Sequence, residues 1–242
     1  LGGWAAKSGT KKAYTMVSDF GPGHDAEGAF QRAFKAAGGE IIGSVRMPVA
    51  NPDFSAFVQR AKDLNPEAIF VFVPGGAQPA ALGKSFAERG IDAQKIKILG
   101  TGEVTDENAV KSMGDAALGI ITAWHYDYNH PSKMNQDFVK AYNDEFKRNP
   151  DFFAVGGYDG MHLIYEALKK AGGKTDADSL IAAAKGMKWE SPRGQIMIDP
   201  ETRDIVQTIY IRRVEKKGNN LVNTEFDKVD NVKDPVKAAM PK

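Results

Sequence analysis

Between residues 12 and 122, short apolar stretches of strand length alternate with amphipathic stretches of helix length, and Gly, Pro or Asp marks the junctions. A chain that alternates in this way is restricted to a parallel sheet with crossover helices, because parallel neighbours can be joined only by a connection that returns to the same end. Ala13 to Val17 reads as the first strand. Ala26 to Ala37 places Ala29, Phe30, Ala33, Phe34 and Ala37 on one helical face, and Gly38-Gly39 closes it. Ile41 to Val45 is the next strand. Asp53 to Leu64 is a helix with Phe54, Phe57, Val58, Ala61 and Leu64 on one side. Ala68 to Val73 is continuously apolar, as a strand buried on both faces must be. A helix over Pro79 to Arg89, a strand over Ile96 to Leu99, a helix over Asp106 to Met113 and a strand over Gly119 to Ala123 complete a doubly wound α/β layer.

After Trp124 the texture changes. Ser132 to Phe146, Ala154 to Lys170 and Asp176 to Ala184 read as helices with no strand between them, so they need a sheet from elsewhere. Phe152, Phe153, Met161 and Tyr165 are expected in the core there. Gly194 to Asp199, Ile205 to Val214 and Leu221 to Val229 then alternate in strand fashion around the turn signals Asp199-Pro200 and Gly218-Asn219-Asn220. The charges of Arg212-Arg213 and Lys216-Lys217, beside Glu215, read as the solvated end of this hairpin.

Composition removes several functions. Lys and Arg total 32 against 31 Asp and Glu, a net charge of +1 dispersed along the chain, which argues against nucleic acid as a partner. No apolar run approaches the ~20 residues that cross a bilayer, so no direct membrane insertion is expected. With no Cys, disulfides, thiol nucleophiles and thiolate metal sites are excluded. His24, His125, His130 and His162 show no metal-ligand spacing, and Gly21-Pro22-Gly23 belongs to neither G-x-G-x-x-G nor the lysine-containing nucleotide motif. No G-x-S-x-G elbow occurs. No metal, no cofactor and no catalysis are expected. The start at Leu1-Gly2-Gly3-Trp4, without an initiator Met or an export leader, reads as a chain processed or trimmed upstream.

Six segments occur in one order: Asp19-Phe20-Gly21-Pro22-Gly23, Phe72-Val73-Pro74-Gly75-Gly76, Leu99-Gly100-Thr101-Gly102-Glu103, Tyr158-Asp159-Gly160 with Glu166-Ala167-Leu168, Ser191-Pro192-Arg193-Gly194-Gln195, and Asp199-Pro200. With them the chain resembles the type I periplasmic solute-binding proteins of the leucine/isoleucine/valine-binding branch, receptors of branched-chain amino acid ABC transporters. The resemblance implies two Rossmann-like lobes that clamp a ligand between them. On that template residues 1–123 belong to the second lobe, residues 124–185 are helices returning to the first, and residues 186–242 return to the second as hairpin and tail. Roughly a hundred residues that build most of the first lobe's sheet are missing on this template, leaving that lobe incomplete. The implied function is the substrate-binding component of an ABC importer. It captures a small carboxylate, such as a branched-chain or other amino acid or an aromatic acid, by hinged closure in the periplasm and presents it to a membrane permease. The fragment alone is expected to bind weakly or not at all. The rival reading is a cytosolic ligand-sensing domain of a regulator or amide receptor.

The resemblance also marks positions. Ligands of open parallel sheets bind at the carboxyl ends of the strands. There Phe20 is expected as an aromatic wall, and Pro74, Gly75 and Gly76 either offer backbone groups to a ligand or form a simple tight turn. Either Glu103 or Gly102 occupies the acidic position that holds a ligand ammonium in amino-acid-binding members. Tyr158 is expected to face the cleft at the start of the long helix, where Asp159 caps or braces. Trp124, His125 and Tyr126, with Tyr128, are expected at a crossover, packing the hinge or lining the cleft mouth.

Overall fold

The computed structural model describes residues 1–50 and 52–238. The chain divides into two compact units, the first comprising Leu1–Trp124 and Ile211–Phe226, the second His125–Tyr210 and Asp227–Lys242. The sequence partition kept residues 186–242 together; the units divide that stretch after Tyr210 and again after Phe226.

In the first unit the elements run α1 (Gly2–Lys7), β1 (Lys12–Ser18), α2 (Gly21–Ala36), β2 (Glu40–Met47), α3 (Ser55–Asp63), β3 (Ala68–Phe72), α4 (Ala77–Glu88), β4 (Lys97–Thr101), α5 (Glu107–Met113) and β5 (Ile121–Trp124). Strands β2, β1, β3, β4 and β5 lie side by side in that order, all parallel. The period of two in β3 explains the double winding. Ile69 and Val71 join Tyr14, Met16, Val58, Leu82, Phe86 and Ile98 on one side of the sheet. Ala68, Phe70 and Phe72 join Ala13, Val17, Leu99, Phe30 and Phe34 on the other. There Phe30 stacks on Phe70 with centroids 4.2 Å apart. Two elements differ from the sequence expectation. Helix α1 was not foreseen, and α2 begins at Gly21 instead of Ala26. Gly21-Pro22-Gly23 has turn chemistry, but Pro in a first helical turn loses no hydrogen bond, since that N–H has no partner within the helix.

The second unit holds α6 (Lys133–Phe146), α7 (Phe152–Lys170), α8 (Ala177–Ala184), β6 (Lys188–Ser191) and β7 (Gly194–Ile198). Strands β8 (Ile205–Lys217) and β9 (Asn220–Val232) each run through both units, and α9 (Pro235–Ala238) follows. Strand β6, which the sequence pattern did not reveal, pairs antiparallel with β7, bringing Ser191 opposite Gly194. Phe153, Met161 and Tyr165, expected in the core, are exposed, as are Ile164 and Ile181. Helical spacing identifies an apolar face but not whether other parts of the chain cover it.

Asp199 follows β7, with both carboxylate oxygens engaged. It accepts from Lys233 Nζ at 2.6 Å and from the backbone N–H groups of Glu201 at 2.8 Å and Thr202 at 3.1 Å. Lys233 first, then these backbone donors, hold its pKa down at about 2. A folded pKa below the unfolded one means that the stabilisation is complete above the unfolded value, about 4, and is lost as pH falls through the folded value. Urea titrations should therefore show that Asp199→Asn flattens the decline in stability between about pH 4 and pH 2. An unchanged acid limb would assign that decline to other carboxyls.

Candidate functional site

Because β1, β3, β4 and β5 are parallel neighbours, the segments leaving their carboxyl ends gather along one edge of the first unit. Phe20 leaves β1 in an extended conformation as the N-cap of α2, half-buried, with its ring 5.9 Å from that of Phe72 at the end of β3. Beside it His24 Nε2 lies 2.6 Å from Asp19 Oδ1. Pro74 is half-buried while Gly75 and Gly76 are exposed, and Gly76, at φ 89°, is the N-cap of α4. That left-handed turn opens the helix; a side chain there would be strained.

From β4 the chain enters a 3₁₀ turn over Gly102–Thr105. Gly102 is buried beneath the indole of Trp124. A Cβ at residue 102 would stand 2.1 Å from Trp124 Cγ, so no acidic side chain fits there and the carboxyl of this turn is that of Glu103. Glu103 is half-buried, and its Oε2 accepts from Thr101 Oγ1 at 3.1 Å. Burial raises its pKa, the Thr101 hydrogen bond opposes that, and the charge of Asp106 adds to it.

The turn is held from below by a residue assigned to the solvent on sequence grounds. Arg212 is only 3% exposed, and its guanidinium donates to Thr122 Oγ1 at 3.1 Å and reaches Gly102 O at 3.4 Å. Asn223 Nδ2 donates to Thr105 O at 2.7 Å. The solvated-hairpin reading fails because Arg212 shares its strand face with Tyr210 and Val214, both buried, a signal present in the period of two. Lys216 and Lys217, nearer the turn, are exposed.

The remaining sequence-marked residues lie in the second unit. His125 meets Phe152 edge-on at 6.3 Å. Tyr126 is buried and its hydroxyl donates to Asn135 Oδ1 at 3.1 Å. Burial first, then Asp127 and Asp151, raise its pKa strongly. Asn135, which carried no sequence signal, donates in turn to the carbonyls of Tyr128 and His130, both at 2.8 Å.

Tyr158 and Asp159 do not open α7. Asp151 caps it, accepting from the N–H of Ala154 at 2.9 Å, and Tyr158 lies in the helix body, 38% exposed, with its ring 5.1 Å from Phe138. The capping alternative for Asp159 is thereby replaced by bracing. Asp159 is buried and accepts from Arg193 Nε at 2.7 Å, Ser191 Oγ at 3.0 Å and Trp189 Nε1 at 3.2 Å. A separate groove of about 740 Å³ in this unit, between α7 and β6, includes His162, Glu166, Lys169, Lys188 and Trp189 in its lining and none of the residues expected to touch the ligand or pack the hinge. Among the described residues no helix is long and apolar enough to cross a membrane.

A parallel sheet with aromatic rings and a half-buried carboxyl along its carboxyl edge is the frame of a ligand-binding α/β protein. The periplasmic binding protein family model matches residues 1–219, and the chain belongs to that family, in its type I, Leu/Ile/Val-binding branch, whose members bind solutes and are not enzymes. It is 41% identical over 235 residues to Leu/Ile/Val-binding protein homolog 6 of Brucella melitensis, covering 96% of this chain and 60% of that protein. It is 60% identical, with a TM-score of 0.91, to a solute-binding protein of an ABC transporter from Rhodopseudomonas palustris BisB5 in complex with 3,4-dihydroxy benzoic acid, covering 98% of this chain and 65% of that one. A solute-binding protein from strain HaA2 in complex with p-hydroxybenzoic acid is 38% identical with a TM-score of 0.93, covering 99% of this chain and 66% of that one. The chain thus spans somewhat under two thirds of these relatives.

Proposed function

We propose that the full-length protein is the periplasmic receptor of an ABC importer for a small aromatic carboxylate, delivered to a membrane permease. The observation that carries this is the 60% identity, over 98% of the chain, to a protein whose structure holds 3,4-dihydroxy benzoic acid. The site is consistent with it. Phe20, backed by the buried Phe72, and Trp124 supply flat apolar surface for an aromatic ring, and the turn of Gly102 and Glu103 supplies a polar group beside Trp124. Pro74, Gly75 and Gly76 complete this edge. Residues 1–123 are read as the second lobe and the helices of residues 124–185 as part of the first, with Tyr158 as its contribution to the ligand. His125, Tyr126 and Asp159, with Trp124, are read as the hinge or cleft-mouth residues. Capture is a closing of the protein on its ligand; no bond is made or broken.

Branched-chain amino acids are the second reading, favoured by the 41% identity to a Leu/Ile/Val-binding protein homolog. Isothermal titration calorimetry of the full-length protein with benzoate, 4-hydroxybenzoate, 3,4-dihydroxybenzoate and leucine separates the two. Saturable heat with the aromatic acids is expected. Heat with leucine alone would transfer the function to amino acids, and silence across the panel would overturn both.

A further inference from the structure

We propose that Arg212 and Asn223 are positioning residues for ligand binding: from the hairpin of β8 and β9 they fix the turn that follows β4, and the affinity of this edge for its ligand depends on them. This rests on the reading of the protein as a solute receptor, but not on which carboxylate it carries.

The turn cannot hold itself. Gly102–Thr105 is a single 3₁₀ turn of four residues, too short to answer the carbonyls at its own ends. Both are answered from more than a hundred residues away. Arg212 Nη2 reaches Gly102 O at 3.4 Å, and Asn223 Nδ2 donates to Thr105 O at 2.7 Å. Two hydroxyls extend the first of these anchors into the turn. Arg212 Nη2 donates to Thr122 Oγ1 at 3.1 Å, which leaves the Thr122 proton for Thr105 Oγ1, 2.9 Å away. Arg212, Asn223, Thr105 and Thr122 are all buried, so an acceptor that loses its donor here has no water to replace it.

The sheet brings these anchors to the right place. Strand β8 lies beside β5, where the N–H of Gly119 donates to Val214 O and the N–H of Val214 to Ile120 O, both at 3.0 Å. Arg212, two residues back along β8, therefore comes opposite Thr122, two residues on along β5. Thr122 in turn shares its face of β5 with Trp124, whose indole covers Gly102. One stack runs from the guanidinium through Thr122 to the indole and the turn, so the groups offered to a ligand rest on buried side chains that a ligand does not reach. A turn held in one conformation beforehand spares the ligand the cost of ordering it; once the anchors are lost, that cost is subtracted from affinity.

The test compares full-length wild type with Arg212→Met, Arg212→Lys, Asn223→Ala and Phe34→Leu, the last a core truncation in the final turn of α2, at the opposite end of that helix from Phe20. Each is titrated calorimetrically with benzoate, 4-hydroxybenzoate, 3,4-dihydroxybenzoate and leucine, and hydrogen exchange of the ligand-free protein is followed over residues 102–106. Arg212→Met and Asn223→Ala should each bind the wild-type ligand about tenfold more weakly, the scale of one hydrogen bond. They should also exchange faster over residues 102–106 while the amides of β1 and β3 stay protected. Arg212→Lys, which keeps a donor, should fall between. Phe34→Leu should lose stability without losing affinity or local protection, which separates positioning from general weakening of the fold. Asn223→Ala keeps the proposal testable if Arg212→Met does not fold. Wild-type affinity in both variants, or a loss of affinity that Phe34→Leu matches, overturns the proposal and leaves the receptor intact. A wild type that binds none of the four overturns both.

Discussion

Asp159→Ala is expected to destabilise the protein by about 3–5 kcal/mol, the cost of breaking a buried ion pair by removing one partner. The magnitude follows from what remains. The Asp159 and Arg193 side chains are 5% and 8% exposed, and truncating Asp159 leaves the guanidinium with Gln207 Oε1, at 2.6 Å, as its other side-chain acceptor. Ser191 Oγ and Trp189 Nε1 lose their acceptor at the same time. The carboxylate therefore ties α7 to β6 and to the turn between β6 and β7 through three donors. Replacing both charges, as Asp159→Leu with Arg193→Met, removes the stranded charge and should recover much of the loss, because a buried pair as a whole contributes far less than breaking it costs. Urea unfolding followed by circular dichroism compares the variants. A single variant within about 1 kcal/mol of wild type would mean that water reaches Arg193 and that the pair is not sealed.

That brace shows how far the sequence could be read. Ser191-Pro192-Arg193-Gly194-Gln195 and Tyr158-Asp159-Gly160 both helped to identify the family, yet nothing in their spacing says that they meet. They are separated by about thirty residues, and the contact exists only because β6 turns back on β7 beside the helix. By contrast β3 was legible outright. Five consecutive buried residues, Ala68 to Phe72, can be satisfied only by a strand covered on both faces. Arg212 falls between these cases. Its charge suggested solvent, its phase in β8 suggested the interior, and the phase prevailed because Thr122, Thr105 and the Gly102 carbonyl answer the guanidinium there. Helix α7 shows a different limit, since its cap is Asp151, about two turns before Asp159, and the expected cap is instead a buried brace. At the candidate site, the loop order along the sheet edge was readable from the strand–helix alternation. The choice between Gly102 and Glu103 needed the position of the Trp124 indole.

Glycine is where the sequence says least and the expected effect on the site is largest. Gly21 and Gly23 flank Pro22 in the same segment, and both invite the explanation that a ligand comes close to the backbone. They behave oppositely. At Gly21 a Cβ would meet nothing within 4 Å, whereas at Gly23 it would lie 2.0 Å from the carbonyl oxygen of Ser18, the last residue of β1. Gly23 thus lets the first turn of α2 rest directly on the end of its own preceding strand, and the close approach is between two parts of the chain. An alanine there cannot be accommodated by a rotamer change, since the obstacle is backbone. The helix must lift or the strand end must move, at a cost of about 1–3 kcal/mol or more. Phe20 lies between the two and must move with either, so Gly23→Ala is expected to weaken ligand binding together with stability. Gly21→Ala should leave stability within about 0.5 kcal/mol, as substitutions in open space do. Thermal unfolding and calorimetric titration of the two variants side by side decide the matter. A Gly21→Ala protein that loses affinity at unchanged stability would show that the ligand itself approaches the backbone at residue 21. A Gly23→Ala protein that loses neither would show that β1 and α2 can part without disturbing Phe20.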